Sequence, residues 1–525
     1  MKKIFSILAV SGLLFLSGCN VLDLAPIDYS AAGNYWKNEA QIEMFFNGMM
    51  SQFRGDYSSP FVLGETRGGT LKAGASIEGV SLSYANMVTN MLDKDNTGIS
   101  NWNGYYSRIL QVNHYIEQVR DYCEFLTDSQ RNAYLAPAYG LRAYYYFMLY
   151  RTYGGVPLET EAKVINGESD IESLYMARST AEETLQFIKD EIANSERCYG
   201  SNQVVDKYNW NYFATEMLKA HVYMWSAKVT TNDNAGAHNA TGASDVNTAK
   251  SALQNVIGSN KFALAANFAD LYDYNKKAGN EVILALYFNN TEATNAASQF
   301  YYQASIWVNS FYDEDGNQLG DPLDLKGGGM HRDEYKESFV KSFDKADSRR
   351  SVTFHECYSS ANPATRVFGS AMLKYMGHVE GSVRYLDSDV MIYRYADALL
   401  LMAEAENFLG NYAAAAGYIN QIRQRAYRGE NPPMFATSDF ATTELAILHE
   451  RDKEFVAEGC RWFDVVRMHD ASHKPLVFSA SAAYPSTLGG TATPILSSSE
   501  QQKLLWPVNT TVLAGDPELV QTYGY

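Results

Sequence analysis

Glu404 and Glu406 are the two acidic residues whose types could support general acid–base catalysis. They lie two positions apart in a stretch with helical spacing, and side chains two apart on a helix point to different faces. The pair is therefore unsuited to flank one bond as the carboxylates of a glycosidase do. The sequence has neither a GxSxG elbow nor an HExxH helix. We predict no enzyme; a secreted hydrolase stays as the alternative that an assay against polysaccharides would test.

One short acidic segment could bind a metal. Asp93, Asp95 and Thr97 alternate with other residues before Gly98, as in the front half of a calcium-binding loop. Position twelve of that loop would be Gly104, where calcium needs a bidentate Glu. The favoured interpretation is a solvated acidic turn, with calcium as the alternative. We predict no cofactor.

Cys123, Cys198, Cys357 and Cys460 are the cysteines beyond the N-terminal segment, and they form no CxxC motif. No Cys or His pairs have the spacing of zinc ligands, so the sequence predicts no zinc site. An exported chain can carry disulfides, but these spacings define no framework. The disulfide state of the four residues stays open.

Aromatic residues make up 13% of the 525-residue chain: 38 Tyr, 25 Phe and 7 Trp. Most should be core, but the region of about 261–388 has only one strand-like run, at 281–288, followed by long loops rich in Asn, Gly, Ser and rings. Its rings without helical spacing are Tyr301, Tyr302, Trp307, Phe311 and Tyr312. Long aromatic loops in a compact protein are usually functional. This region is predicted to contact a ligand.

The elements that must position these loops are helices. Four segments have the apolar spacing of helix pairs: about 102–153, 178–229, 392–427 and 444–468. The third has about the length of one tetratricopeptide (TPR) unit, and such pairs bury their apolar faces only by stacking. Pro137 should kink its helix or mark its start. We predict a mainly α fold of TPR-like hairpins stacked as a superhelix, with a large irregular half formed by 261–388 and the loops 54–100.

The N-terminal residues have the features of an export signal. Residues 1–18 combine two lysines, an apolar run and small residues, and Leu16-Ser17-Gly18-Cys19 resembles a bacterial lipobox. In this interpretation Cys19 is acylated, residues 19–30 form a tether, and the protein is anchored to a membrane without spanning it. An ordinary cleaved signal peptide is the alternative.

The charge balance limits the classes of partner. The formal net charge is −17 at pH 7. Nucleic acids and anionic lipid surfaces bind clustered Lys and Arg, so the sequence argues against both as partners.

Several stretches of this chain resemble one bacterial protein family. They are LRAYYYFMLYRTYGGVPL at 141–158, RSTAEETLQFIKDEI at 178–192, IYRYADALLLMAEAEN at 392–407, INQIRQRA at 419–426 and ERDKEFVAEGCRWFDVVR at 450–467. The closing LLWPVNTTVLAGDPELVQTYGY also matches, although the usual Asn-Pro-Gly-Tyr ending is replaced at 522–525 and Cys460 stands where His is more common. On these motifs and the lipobox, the chain is identified as a member of the SusD/RagB family of nutrient-binding lipoproteins of the Bacteroidetes outer membrane.

The resemblance implies a binding protein without catalytic activity. Residues 31–525 would form one SusD-like domain, lipid-anchored at the outer membrane and facing the cell surface. The domain would capture a glycan and hand it to a SusC-like TonB-dependent transporter; in the RagB branch the ligand would be a peptide. The family implies a ligand site built from loops before the first helix pair and from the irregular middle. On that basis Arg67, Tyr84, Tyr302 and Trp307 are the predicted ligand-binding residues. Charged residues of the family motifs are predicted to form structural ion pairs instead: Arg142, Glu404, Arg423, Glu450, Arg461 and Asp464.

Overall fold

The computed structural model describes residues 35–98, 102–295, 300, 310–321, 324 and 329–525. The predicted signal peptide, the tether and Cys19 lie outside these residues, as do Tyr302 and Trp307. Within the described part the chain is mainly helical, with short strands, which confirms the predicted fold class. No helix in this part combines the length and the apolar character that crossing a bilayer requires.

The elements are numbered in chain order. The helices are α1 Glu39–Gly55, α2 Ser59–Gly64, α3 Ala85–Val88, α4 Asn103–Glu117, α5 Asp128–Tyr153, α6 Ala181–Tyr199, α7 Tyr212–Lys228, α8 Ala243–Gly258, α9 Glu337–Val340, α10 Ser348–Thr353, α11 Tyr395–Phe408, α12 Tyr412–Ala426, α13 Phe440–Glu454, α14 Arg461–Arg467 and α15 Thr510–Gly515. The strands are β1 Val282–Leu286, β2 Phe354–Tyr358, β3 Phe368–Met372, β4 His378–Glu380, β5 Val383–Tyr385 and β6 Val390–Arg394. Short 3-10 helices include Phe268–Leu271 and Tyr274–Lys276.

The long helices form one continuous stack. Helix α4 packs on α5, α5 on α6, α6 on α7 and α7 on α8, and α8 then packs on α11, which also contacts α12 and α13. Helices therefore occupy all four segments with predicted helix-pair spacing, and α1 and α8 extend the stack beyond them. Each pair buries its apolar face against the next, as stacked repeats do.

Local sequence determines where two of these helices begin. Thr127 and Gln130 form a capping box at the start of α5, and Thr180 and Glu183 form another at α6. Helix α5 continues through Pro137, so this residue does not mark a helix start. Packing of the buried C-terminal half of α5 outweighs the cost of roughly 3 kcal/mol that an internal proline carries.

Residues 390–394 form a strand, although the sequence places the start of the helix hairpin 392–427 there. This strand, β6, pairs antiparallel with β1 and sets Ala285 opposite Met391. Every residue of β1 is buried, so its backbone groups need a partner strand, which β6 supplies. The hairpin therefore begins at Tyr395, and the predicted boundary is wrong.

The irregular half has a hydrophobic core of its own, distinct from the main core of the helical stack. We call it the second core; its buried rings are Phe61, Phe300, Phe311, Tyr335, Phe339, Phe343, Phe354, Tyr358, Phe368 and Tyr375. The strands around it form only two-stranded sheets, β2 with β3 and β4 with β5. Ring packing, rather than an extended sheet, gives this half its rigidity.

Buried ion pairs connect α13 to the elements around it. Glu454 lies 3.0 Å from an Arg349 nitrogen and 2.6 Å from an Arg394 nitrogen, and it also pairs with Arg425. Arg394 and Arg425 both contact Glu281 as well, at 2.8 and 3.2 Å. We call these five residues the arginine cluster. Burial alone would raise the pKa of Glu454, but the three guanidinium groups hold it well below its ordinary value.

The charged residues that the resemblance assigns to structural roles all form ion pairs between elements or along them, which confirms that expectation. The pairs and their N–O distances are Arg142–Glu191 2.7 Å, Arg467–Glu404 2.7 Å, Arg423–Glu450 2.8 Å, Arg461–Asp452 2.5 Å and Arg451–Asp464 2.7 Å. No disulfide joins the four cysteines of the described chain; Cys123 and Cys357 are buried, and Cys198 and Cys460 are half-buried.

Candidate functional site

Two segments far apart in sequence, 65–98 and 329–335, pack side by side at the second core. The amide of Lys72 donates to the carbonyl of Glu334 at 2.7 Å, and the amide of Ser83 donates to the carbonyl of Arg332 at 2.7 Å. We call the surface that they form the loop junction. These segments belong to the early loops and to the irregular middle, so the two regions from which the resemblance builds the ligand site do lie together.

Tyr84 lies half-buried at the loop junction, immediately before α3. Its backbone is left-handed, with φ of 57°, and its ring packs against both hydrophobic cores. Two exposed polar residues accompany it: Asn86, whose side-chain amide donates to Asn96 Oδ1 at 2.9 Å, and Arg332, whose guanidinium donates to the Ser81 carbonyl at 3.2 Å. A fixed ring beside an amide and a guanidinium can pack on the C–H face of a sugar and bond its hydroxyls.

Sequence reasoning singled out Tyr84 but missed Asn86 and Arg332. Asn86 is two positions from Tyr84, so it could have been proposed as part of the same loop. Arg332 follows Tyr84 by more than two hundred residues, and only the backbone pairing across the junction brings the two together.

Tyr302 and Trp307 belong to a stretch whose two flanks are held at the second core. Phe300 packs edge-on against Phe61 with ring centroids 5.2 Å apart, and Phe311 is buried in the same core. Both flanks therefore lie in the irregular half that contributes to the loop junction. The roles of Tyr302 and Trp307 stay predictions.

Three carboxyl groups lie buried beneath the loop junction. Burial raises the pKa of Glu65 to about 8 and that of Asp333 to about 7. Burial also raises the pKa of Glu334 to about 7, although the nearby Lys72 ammonium opposes this shift. All three side chains are almost wholly inaccessible to solvent. They support the junction from below and are out of reach of a ligand on its surface.

Arg67 is fully buried, with 0% of its surface exposed. Its guanidinium carbon lies 3.9 Å from the centroid of Trp462 and 5.0 Å from that of Trp506. Its Nε donates to Asn90 Oδ1 at 2.7 Å, and Nη2 donates to the Lys503 carbonyl. A surface ligand cannot reach this group, so the structure contradicts direct ligand contact by Arg67 and assigns it to packing.

The acidic segment that resembles a calcium loop closes on itself. Asp93 Oδ1 accepts hydrogen bonds from the amides of Asp95 and Asn96, both at 2.9 Å. Within the residues that the structure describes, no group of three or more His, Cys, Asp or Glu side chains is arranged to hold a metal ion. The geometry of Asp93 is that of an Asx turn.

Comparison with known proteins identifies the family. A family model described as the SusD family matches residues 358–525, and one described as starch-binding associating with outer membrane matches residues 39–203. The crystal structure of a SusD superfamily protein from Bacteroides fragilis is 36% identical to this chain, with a TM-score of 0.85, and covers 94% of this chain and 100% of its own. The chain belongs to the SusD/RagB family.

Two further proteins are similar to this SusD/RagB chain over nearly its whole length. NanU from B. fragilis is 30% identical, with a TM-score of 0.79, and the alignment covers 96% of this chain and 100% of NanU. SusD-like protein P38 from Formosa agariphila is 26% identical over 554 residues, covering both chains in full. The two family-model matches include α4–α6 and α11–α14, so the motifs that identify a SusD/RagB protein here are those that build the helical stack.

Proposed function

We propose that this protein is a cell-surface lipoprotein that captures a glycan and delivers it to a SusC-like TonB-dependent transporter in the outer membrane. The observation that carries the proposal is the match of residues 39–203 to a family described as starch-binding and associated with the outer membrane. That match includes Tyr84 and Asn86, which the fold sets at the exposed loop junction.

The chemistry of the junction favours a sugar ligand. The ring of Tyr84 is held by packing on two cores, so it can stack on a sugar ring at little entropic cost. Asn86 and Arg332 offer donors at its edge, and the carboxyl groups beneath are buried away from any scissile bond. The site is therefore suited to binding without hydrolysis. Tyr302 and Trp307 are proposed as additional ring contacts.

Calorimetry with the purified full chain in detergent tests the ligand. A panel of neutral oligosaccharides and polysaccharides should include at least one that binds and is recovered unhydrolysed. Trp307→Ala should abolish that binding, whereas Trp307→Tyr should retain much of it. Peptides form the second arm of the panel: binding of peptides alone would support the RagB-type alternative, and hydrolysis of a bound glycan would contradict the proposal.

Acylation of Cys19 can be measured directly. The mature protein should carry the mass of a lipid on an N-terminal Cys19 and sediment with membranes, and Cys19→Ala should release it into the soluble fraction. Protease added to intact cells should digest the wild type if it faces outward. A Cys19→Ala protein that stays membrane-bound would contradict the predicted anchor.

Partnership with a transporter calls for a separate measurement. Gentle solubilisation of membranes followed by affinity capture of the full chain should co-purify a TonB-dependent transporter in near-equal amount. Capture of the chain alone, from membranes in which such a transporter is detected, would contradict this part of the proposal.

A further inference from the structure

A second concave site lies away from the loop junction. Residues 264–266, 270–282 and 388–391 enclose a cavity of about 350 Å³. Its floor includes Val282 of β1 and Met391 of β6, both buried, and its wall is the chain around the two 3-10 helices. We call it the tyrosine cleft. Its size lies at the lower end of small-molecule sites, about 300–1,000 Å³, so it has room for a small molecule but not for a polymer.

The charged groups of the tyrosine cleft are already paired. Lys277 Nζ lies 3.1 Å from Asp389 Oδ1 and donates to the carbonyl of Asp387 at 2.7 Å. Lys276 Nζ lies 2.6 Å from Asp270 Oδ1, and Glu281 is neutralised by the arginine cluster behind it. No strong field remains to attract an ion. The cleft is therefore suited to an uncharged ligand.

Aromatic rings surround the Lys277 ammonium. It lies 4.7 Å from the ring centroid of Tyr274 and 4.9 Å from that of Tyr287. Tyr274 is in turn stacked on His378, with centroids 4.0 Å apart and planes 21° apart. The Tyr208 ring contacts Tyr287 at 5.0 Å. These rings support one another, so they are held in place before any ligand arrives.

Polar groups accompany these rings at one end of the cleft. The Tyr208 hydroxyl donates to Asp389 Oδ2 at 2.8 Å, and Tyr287 is 37% exposed. Apolar ring surface next to hydroxyl and carboxylate groups matches a sugar, whose C–H face packs on rings and whose hydroxyls both donate and accept.

We propose that the tyrosine cleft is a second binding site for one uncharged sugar unit, distinct from the loop junction and formed by Tyr274, Tyr287 and Asp389. The proposal rests on the proposed function for its ligand class. It adds a separate place of contact, at which a glycan end or a free monosaccharide would bind.

Titration calorimetry with variants that affect one site each tests the second site. The neutral glycan that binds the wild type should fit two sites per chain. Tyr274→Ala and Tyr287→Ala should each weaken the cleft site about tenfold while Tyr274→Phe retains it. Tyr84→Ala should weaken only the other site. Because Tyr274 and Tyr287 lie outside the hydrophobic cores, thermal unfolding should be unchanged and should exclude misfolding as the cause.

The outcomes separate the two proposals. One site per chain, lost in Tyr84→Ala and altered less than twofold in Tyr274→Ala and Tyr287→Ala, would overturn the cleft while leaving the proposed function intact. Binding of no sugar by the wild type would overturn both. Monosaccharide binding that depends on Tyr274 would indicate a free sugar as the ligand, and binding of oligosaccharides alone would indicate a glycan end.

Discussion

The arginine cluster and the loop junction both bury carboxyl groups, but they stabilise opposite protonation states. In the arginine cluster, burial disfavours the charge on Glu454, yet three guanidinium groups outweigh it and hold the pKa low. At the loop junction, burial dominates and raises the pKa of Glu65 to about 8. The first region keeps its carboxylate ionised, and the second keeps its carboxyl group neutral near pH 7.

This difference indicates how the two halves are held together. The helical half fixes the positions of its elements by directional ion pairs, which are strong when complete and costly when one partner is missing. The half that carries the proposed ligand site relies on ring packing and neutral hydrogen bonds, which need no exact partner charge. Rigidity therefore comes from the ionic region, and the surface chemistry stays free to suit a ligand.

Removal of one partner from the arginine cluster should have the largest effect. Glu454→Ala leaves Arg349, Arg394 and Arg425 buried without this common partner, so the free energy of unfolding should fall by roughly 3–5 kcal/mol. Urea unfolding of the full chain measures it. Asp121→Ala, which breaks an exposed pair with Arg120, is the matched control and should have no measurable effect. A loss below about 1 kcal/mol in Glu454→Ala would remove the distinction between the regions.

The pH dependence of stability should differ between the regions. For Glu65, the unfolded chain loses its proton near pH 4.5 and the folded chain only near pH 8, so the free energy of unfolding falls as the pH rises between these values. The fall attributable to this group is on the order of a few kcal/mol. Glu454 acts in the opposite sense: its contribution is present above about pH 4.5 and is lost as the pH falls below it.

Urea unfolding between pH 5 and 8.5 tests this response, with Glu65→Gln as the variant. The amide keeps the shape of the side chain without a titrating group, so the variant should show a smaller decline towards pH 8.5 than the wild type. Equal slopes in the two proteins would contradict a buried, neutral Glu65.

The helical half could be predicted from the sequence because its signals are local. Apolar residues at helical spacing located the helix pairs, and the motif residues Arg142 and Glu404 formed buried ion pairs as expected. The error at 390–394 has a physical cause: those residues fit either a helix or a strand, and the need of β1 for a partner decides between them.

The loop junction could be predicted only in outline. The resemblance indicated which two regions meet, but Arg332 joins Tyr84 through a long-range backbone bond that no local pattern records. Arg67 shows the same limit from the other side. An Arg in an aromatic, glycine-rich loop suits ligand contact as well as burial, and the decision depends on Trp462 and Trp506, about four hundred residues further along the chain.

Arg67 should behave as a structural residue although it comes from the ligand-binding half. Arg67→Ala removes the stacking on Trp462 and Trp506 and the bonds to Asn90 and Lys503, at a cost of about 2–3 kcal/mol. The glycan affinity of the folded fraction should be unchanged. Parallel unfolding and calorimetry measure both quantities. A tenfold loss of affinity at unchanged stability would return Arg67 to the binding site.

Tyr84 should show the reverse pattern and the smallest effect on stability. Tyr84→Ala should weaken glycan binding about tenfold, since a stacked ring contributes on the order of 1 kcal/mol, whereas the half-buried side chain should cost unfolding only about 1 kcal/mol. Tyr84→Phe keeps the ring and should bind nearly as the wild type does. Affinity unchanged in Tyr84→Ala, with Trp307→Ala inactive, would shift the site towards the middle loops. Loss of affinity in both would show that the two segments act as one surface, which the backbone pairing of Ser83 with Arg332 makes the expected result.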